Sequence, residues 1–114
     1  MMIYTPIIDC HVHANQYERI NKTGKFVSLE KRFNALLESM DNNGVDYSII
    51  LSSYKVDENR PSVSKIIDTV KKYDNNKLGV VAGFTIDNHT EEDAKNCRTW
   101  LKDGIIKGIK LYCG

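Results

Sequence analysis

Residues 7–13 read Ile7-Ile8-Asp9-Cys10-His11-Val12-His13. The stretch is short, apolar at its start and β-branched at intervals, as a buried strand is. Successive side chains of a strand point to opposite faces. Asp9, His11 and His13 are therefore expected on one face, and Ile8, Cys10 and Val12 on the other. The apolar set suits a surface packed under helices, and the polar set suits the opposite face. Two imidazoles two residues apart on one face can bind one metal ion, and neutral imidazole suits zinc and its neighbours. Asp9 has the spacing of an acceptor that steadies a ligand histidine. An isolated His-x-His pair is more often just two partly buried polar residues at a strand end. Here the pair ends an apolar first strand and a helical pattern comes after it, which favours ligation.

Beyond this strand the chain alternates between two periodicities. Leu29, Phe33, Leu36, Leu37 and Met40 recur at helical spacing, with Ser28 as N-cap and Gly44 at the C-terminal glycine position. Val45 to Leu51 (VDYSIIL) reads as a second strand. Pro61 and Ser62 open a second helix, striped by Val63, Ile66, Ile67, Val70 and Tyr73. Leu78 to Phe84 (LGVVAGF) is a third strand. Thr90 caps a third helix whose first turn holds Glu91, Glu92 and Asp93, suited to the positive end of the helix dipole. Ala94, Cys97 and Leu101 form its buried stripe, and Gly104 ends it. Ile109 to Cys113 is a fourth strand.

The order βαβαβαβ, with apolar strands, predicts an α/β fold with a parallel sheet covered by helices and joined by right-handed crossovers. It leaves two architectures open, a doubly wound sheet and part of a (β/α)8 barrel. A complete barrel has eight strands and takes roughly 250 residues. These 114 residues supply about half of one, read as a single domain over 1–114.

Composition narrows the function classes. Sixteen basic residues against fifteen acidic ones give a net charge of +1. Without a dense Lys/Arg cluster, no field steers the chain onto nucleic acid or an anionic membrane. Met1 to Ile8 lacks the basic and apolar regions of a signal peptide, and the apolar runs are strand-sized. Cys10, Cys97 and Cys113 are odd in number and widely spaced, which fits free thiols in a reducing, cytoplasmic setting. Cys10 and Cys97 fall on apolar faces and are expected to be buried structural thiols. Trp100 is expected to pack, and His89 to be an exposed loop residue.

The stretch Ile7 to His13 (IIDCHVH) resembles the first strand of the amidohydrolase-related metal-dependent hydrolases. Leu36 to Leu51 (LLESMDNNGVDYSIIL) is similar to that family's first helix, glycine turn and second strand. Leu78 to Phe84 resembles its third strand, and Gly104 to Gly114 (GIIKGIKLYCG) its approach to strand four. The resemblance covers nearly the whole chain and is specific at its two ends. It implies a (β/α)8 barrel whose metal activates water or polarises the substrate. It also implies hydrolysis of amide or ester bonds in small, often cyclic molecules, with one branch decarboxylating aromatic-type acids instead.

His11 and His13 match the first two metal ligands of the family, with zinc expected first and manganese second. Lys110 lies on strand four, where some binuclear members place a carboxylated bridging lysine, although the branch most resembled does not depend on it. Tyr112-Cys113 departs from the His-Pro that many relatives carry there. The family's remaining ligands come from strands five, six and eight, which these residues do not contain. Phosphoesterases that begin with His-x-His normally show Thr-Asp-His at the second strand, where this chain has Leu51-Ser52-Ser53. Deoxyribonuclease-type barrels show Gly-x-His-Pro where it has Gly83-Phe84-Thr85-Ile86.

Three functions stand as expectations. One is an incomplete metal-dependent hydrolase or decarboxylase that acts on a small molecule and lacks its C-terminal half. Another is a non-catalytic half-barrel that self-associates as a homodimer, bringing four histidines together. The last is an unrelated α/β domain with incidental histidines.

Overall fold

A computed structural model describes residues 4–16, 26–73, 76–87 and 89–113. The elements run β1 (Ile8–Val12), α1 (Leu29–Asn43), β2 (Tyr47–Leu51), α2 (Val63–Tyr73), β3 (Leu78–Thr85), α3 (Glu91–Lys102) and β4 (Gly108–Tyr112). All strand pairs are parallel, and the sheet order is β1-β2-β3-β4. A doubly wound sheet reverses its strand order at a switch point. No reversal occurs here, and the sheet curls into a half-barrel.

Local chemistry sets the helix boundaries. The Ser28 hydroxyl accepts from the Lys31 N–H at 3.3 Å and caps α1. Gly44 then ends α1 in the left-handed region, at φ 68°, a conformation costly for any residue with a Cβ. Gly44→Ala is expected to lower stability by about 1 kcal/mol, read as a lower urea midpoint with an unchanged slope. At α3, Thr90 and Asp93 satisfy each other's backbone N–H groups in a reciprocal capping box.

The core lies between one face of the sheet and the helices. Ile50 of β2 and Leu78, Val80 and Ala82 of β3 pack beneath Phe33 and Met40 of α1, Ile66 and Ile67 of α2 and Cys97 of α3. Full burial of side chains of this size stabilises by roughly 1.5–3 kcal/mol each. Phe33 also stacks on Tyr73, with ring centroids 5.9 Å apart, which joins α1 to α2. Trp100 packs against the same cluster, as the sequence suggests. The opposite, inner face carries Tyr47, Ile49, Leu51, Val81, Gly83, Lys110 and Tyr112, as the ladder register requires.

Two expectations for β1 need correction. Strict alternation fails because the register with β2 shifts between Asp9 and Val12. Ile8 lies across from Tyr47, an inner-face residue. Asp9 lies across from Ser48 and Val12 across from Ile50, both in the helix-facing row. One extra residue in β1 therefore puts Asp9 out of phase with the C-terminal part of the strand, as a β-bulge does. Cys10 is exposed, whereas Cys97 is buried as expected. β1 is an edge strand of the sheet, and Cys10 on it stays open, whereas Cys97 lies on the buried side of α3.

Candidate metal-ligand pair on the inner face

The two histidines at the end of β1 converge. The Nε2 atoms of His11 and His13 are 3.1 Å apart, and the rings meet edge-on with centroids 5.0 Å apart. The backbone on the far side of His13 fixes its proton. His13 Nδ1 lies 3.0 Å from the carbonyl oxygen of Leu51. A carbonyl only accepts, so Nδ1 carries the hydrogen and, in the neutral ring, Nε2 keeps its lone pair. His11 Nε2–H then donates across the 3.1 Å gap. A histidine whose outer nitrogen is tied to a backbone carbonyl is held as metal-ligand histidines usually are.

The spacing also suits a shared ion. Two imidazoles on one tetrahedral zinc, at ~2.0–2.1 Å each, hold their nitrogens roughly 3.3 Å apart. The donor set stops at two. Among the described residues, no group of three or more His, Cys, Asp or Glu side chains is placed to hold a metal ion. The pair fits part of a zinc centre and not a whole one.

Burial pushes the His13 pKa below its ordinary value, and the nearby His11 and Lys110 push it the same way, against the opposing effect of the Leu51 carbonyl. The neutral ring is thus the folded-state form. Its contribution to stability is complete above the ordinary imidazole pKa, about 6.5. That contribution is lost as pH falls from there through the depressed folded-state value. His13→Gln should flatten this acid-side loss, measured by urea unfolding between pH 7.5 and 5.

Asp9 turns its carboxylate to the backbone. Its Oδ1 accepts from the His11 N–H at 3.1 Å, so its contact with the pair is through the main chain and not through a ring nitrogen. Lys110 of β4 is half-buried, and its Nζ lies 4.8 Å from the ring centroid of Tyr112. It acts electrostatically on His13 although two strands separate β4 from β1. The curl of the sheet brings the two edge strands toward each other across the inner face.

Several contributors were not picked out as site residues from sequence. The Leu51 carbonyl belongs to the backbone and leaves no side-chain signal. Arg32 of α1 donates from Nη1 to the Ala14 carbonyl at 2.6 Å, pinning the chain just after His13, and its guanidinium sits 5.9 Å from the Phe26 ring centroid. Tyr54 and Tyr112 pack with centroids 4.5 Å apart at the C-terminal ends of β2 and β4. Asp46 anchors the entry to β1. Its carboxylate accepts from the Tyr4 hydroxyl and from the Ile7 N–H, the latter at 2.8 Å. The Tyr4 bond, then that of Ile7, holds its carboxyl below the usual range. Such anchors depend on pairs 39 and 42 residues apart, which no local pattern reveals.

His89 is exposed, with Nδ1 2.8 Å from the Ile86 carbonyl, and belongs to the loop after β3 as expected. No helix among the described residues is long and apolar enough to cross a membrane. Comparison of the chain with protein-family models, with curated proteins and with solved structures finds no match.

Proposed function

We propose that this chain is the ligand-bearing half of a (β/α)8-type, metal-dependent hydrolase acting on the amide, ester or cyclic bonds of small molecules. The observation that carries the reading is the 3.1 Å approach of His11 and His13 Nε2, with His13 oriented by the Leu51 carbonyl. The parallel order β1-β2-β3-β4 supports the barrel architecture, and the resemblance of residues 7–13 and 104–114 supports the choice of chemistry.

A divalent ion at such a site, zinc foremost, lowers the pKa of a bound water or polarises a carbonyl. The chain's own part is to present the two nitrogens. His13 is already in the right tautomer. His11 presents a lone pair at Nε2 once its ring hydrogen sits on Nδ1. Protons compete with the metal for imidazole lone pairs, so metal uptake is expected to weaken as pH falls. Lys110 adds a positive charge on the same face. Further ligands must come from outside the described residues.

The test is zinc and manganese content by elemental analysis after loading and desalting, followed by assay against a panel of small amides, esters and lactones. Bound metal in the parent chain, lost in His11→Ala and in His13→Ala, is the expected result. Equal metal content in parent and variants would overturn the reading.

A further inference from the structure

The C-terminal end of β2 is held on both sides by bonds that lie beyond the strand register. Toward β1 the register ends at Val12 and Ile50, and toward β3 at Leu51 and Val81. Past those pairs, the peptide that joins Leu51 to Ser52 bonds to both neighbours. Its carbonyl accepts from His13 Nδ1–H at 3.0 Å, and its N–H donates to the Val81 carbonyl at 3.0 Å. The carbonyl and N–H of one peptide lie in one rigid plane, so whatever fixes the N–H also aims the carbonyl.

The Ser52 side chain adds the next bond. Its hydroxyl is fully buried and accepts from the Gly83 N–H at 2.8 Å. Gly83 admits this approach because it lacks a Cβ, which would collide with the Ser52 carbonyl oxygen. Ser52 is thereby tied to β3 twice, at its N–H by Val81 and at its hydroxyl by Gly83. A peptide held by one bond can turn about it, whereas two bonds fix its plane. An apolar side chain at this position would leave the Gly83 N–H without its buried acceptor.

We infer that Ser52 is a positioning residue for His13, acting through the Leu51 carbonyl. By fixing that carbonyl toward β1, Ser52 selects the His13 tautomer with its hydrogen on Nδ1. The Nε2 lone pair is then kept toward His11, 3.1 Å away. The path runs from Gly83 on β3, through the Ser52 hydroxyl and the Leu51 carbonyl at the end of β2, to the ring of His13 after β1. Without the hydroxyl, Val81 alone restrains the peptide, and the acceptor that selects Nδ1–H is free to swing. The positioning stands on these hydrogen bonds; only its effect on metal affinity rests on the ligand reading of the pair.

The test is the long-range 1H–15N imidazole spectrum of Ser52→Ala beside that of the parent chain, with His13 assigned by the loss of its signals in His13→Gln. The parent should show the His13 hydrogen on Nδ1. In Ser52→Ala the Nε2–H form is expected to appear, and zinc affinity to fall by about 10-fold, the scale of losing a group that orients a ligand. Ser52→Thr keeps the hydroxyl and should restore both. Thr69→Ala is the control. It removes another buried hydroxyl, which donates to the Lys65 carbonyl at 2.7 Å within α2, and should change neither. If Ser52→Ala fails to fold, Ser52→Cys gives the second reading, because a thiol is a weak acceptor, and the Nε2–H form should appear there too. An unchanged tautomer in folded Ser52→Ala or Ser52→Cys overturns the proposal, as does an equal shift in Thr69→Ala. A Ser52-dependent tautomer in a chain that binds no zinc rejects the metal reading alone. Zinc held by both histidines, with a tautomer indifferent to Ser52, rejects the positioning role alone.

Discussion

Gly83→Ala should destabilise the chain by about 3 kcal/mol, the upper end of what overpacking a core costs. Gly83 sits in β3 across from Lys110, and its N–H donates to the buried Ser52 hydroxyl at 2.8 Å. A Cβ there would run into the carbonyl oxygen of Ser52 and come within 3.4 Å of the Tyr112 ring. The first obstacle is backbone. The Ser52 N–H is bonded to the Val81 carbonyl at 3.0 Å, so that segment cannot retreat without losing a ladder bond. Gly79→Ala is the control. Its Cβ would meet the phenol of Tyr47, the far end of a side chain that can rotate. A cost of about 1 kcal/mol or less is expected there. Thermal and urea unfolding of both variants measure the difference, and equal effects would mean that the β2–β3 approach is looser than the structure has it.

The second large effect is on metal affinity. Removing either imidazole of a two-donor set leaves a single ligand, so His11→Ala and His13→Ala should each lower zinc affinity by 100-fold or more, measured by calorimetric titration at pH 7.5. His13→Gln should lose as much, because its amide can still donate to the Leu51 carbonyl but offers an amide oxygen, a poor zinc ligand, in place of the imidazole nitrogen. Asp9→Asn should cost far less, since the Asp9 carboxylate meets the His11 backbone and not a ring nitrogen. A uniform loss across all these variants would point to damage to β1 rather than to removed ligands.

Much of this arrangement was legible in residues 7–113. The helical stripes and caps placed α1, α2 and α3, because Ser28, Gly44, Thr90 and Asp93 act on backbone groups within one turn. The His-x-His spacing was enough to bring His11 and His13 together. The register shift in β1 was not legible, since a bulge depends on how two strands pair and not on the pattern of one. It separated Asp9 from the phase assigned to it. The exposure of Cys10 was missed for a related reason: apolar periodicity says which face should be covered, not whether an element is present to cover it. The choice between a doubly wound sheet and a curled half-barrel also lay beyond periodicity. It rests on strand order, which the βαβ pattern leaves free.

Long-range 1H–15N spectra of the imidazoles, with and without one equivalent of zinc, decide whether His11 and His13 form one ligand pair. His13 is expected to carry its proton on Nδ1 throughout, and the Nε2 signals of both rings to move together as zinc is added. Zinc binding that leaves both Nε2 signals in place, or moves only one of them, would contradict the pairing.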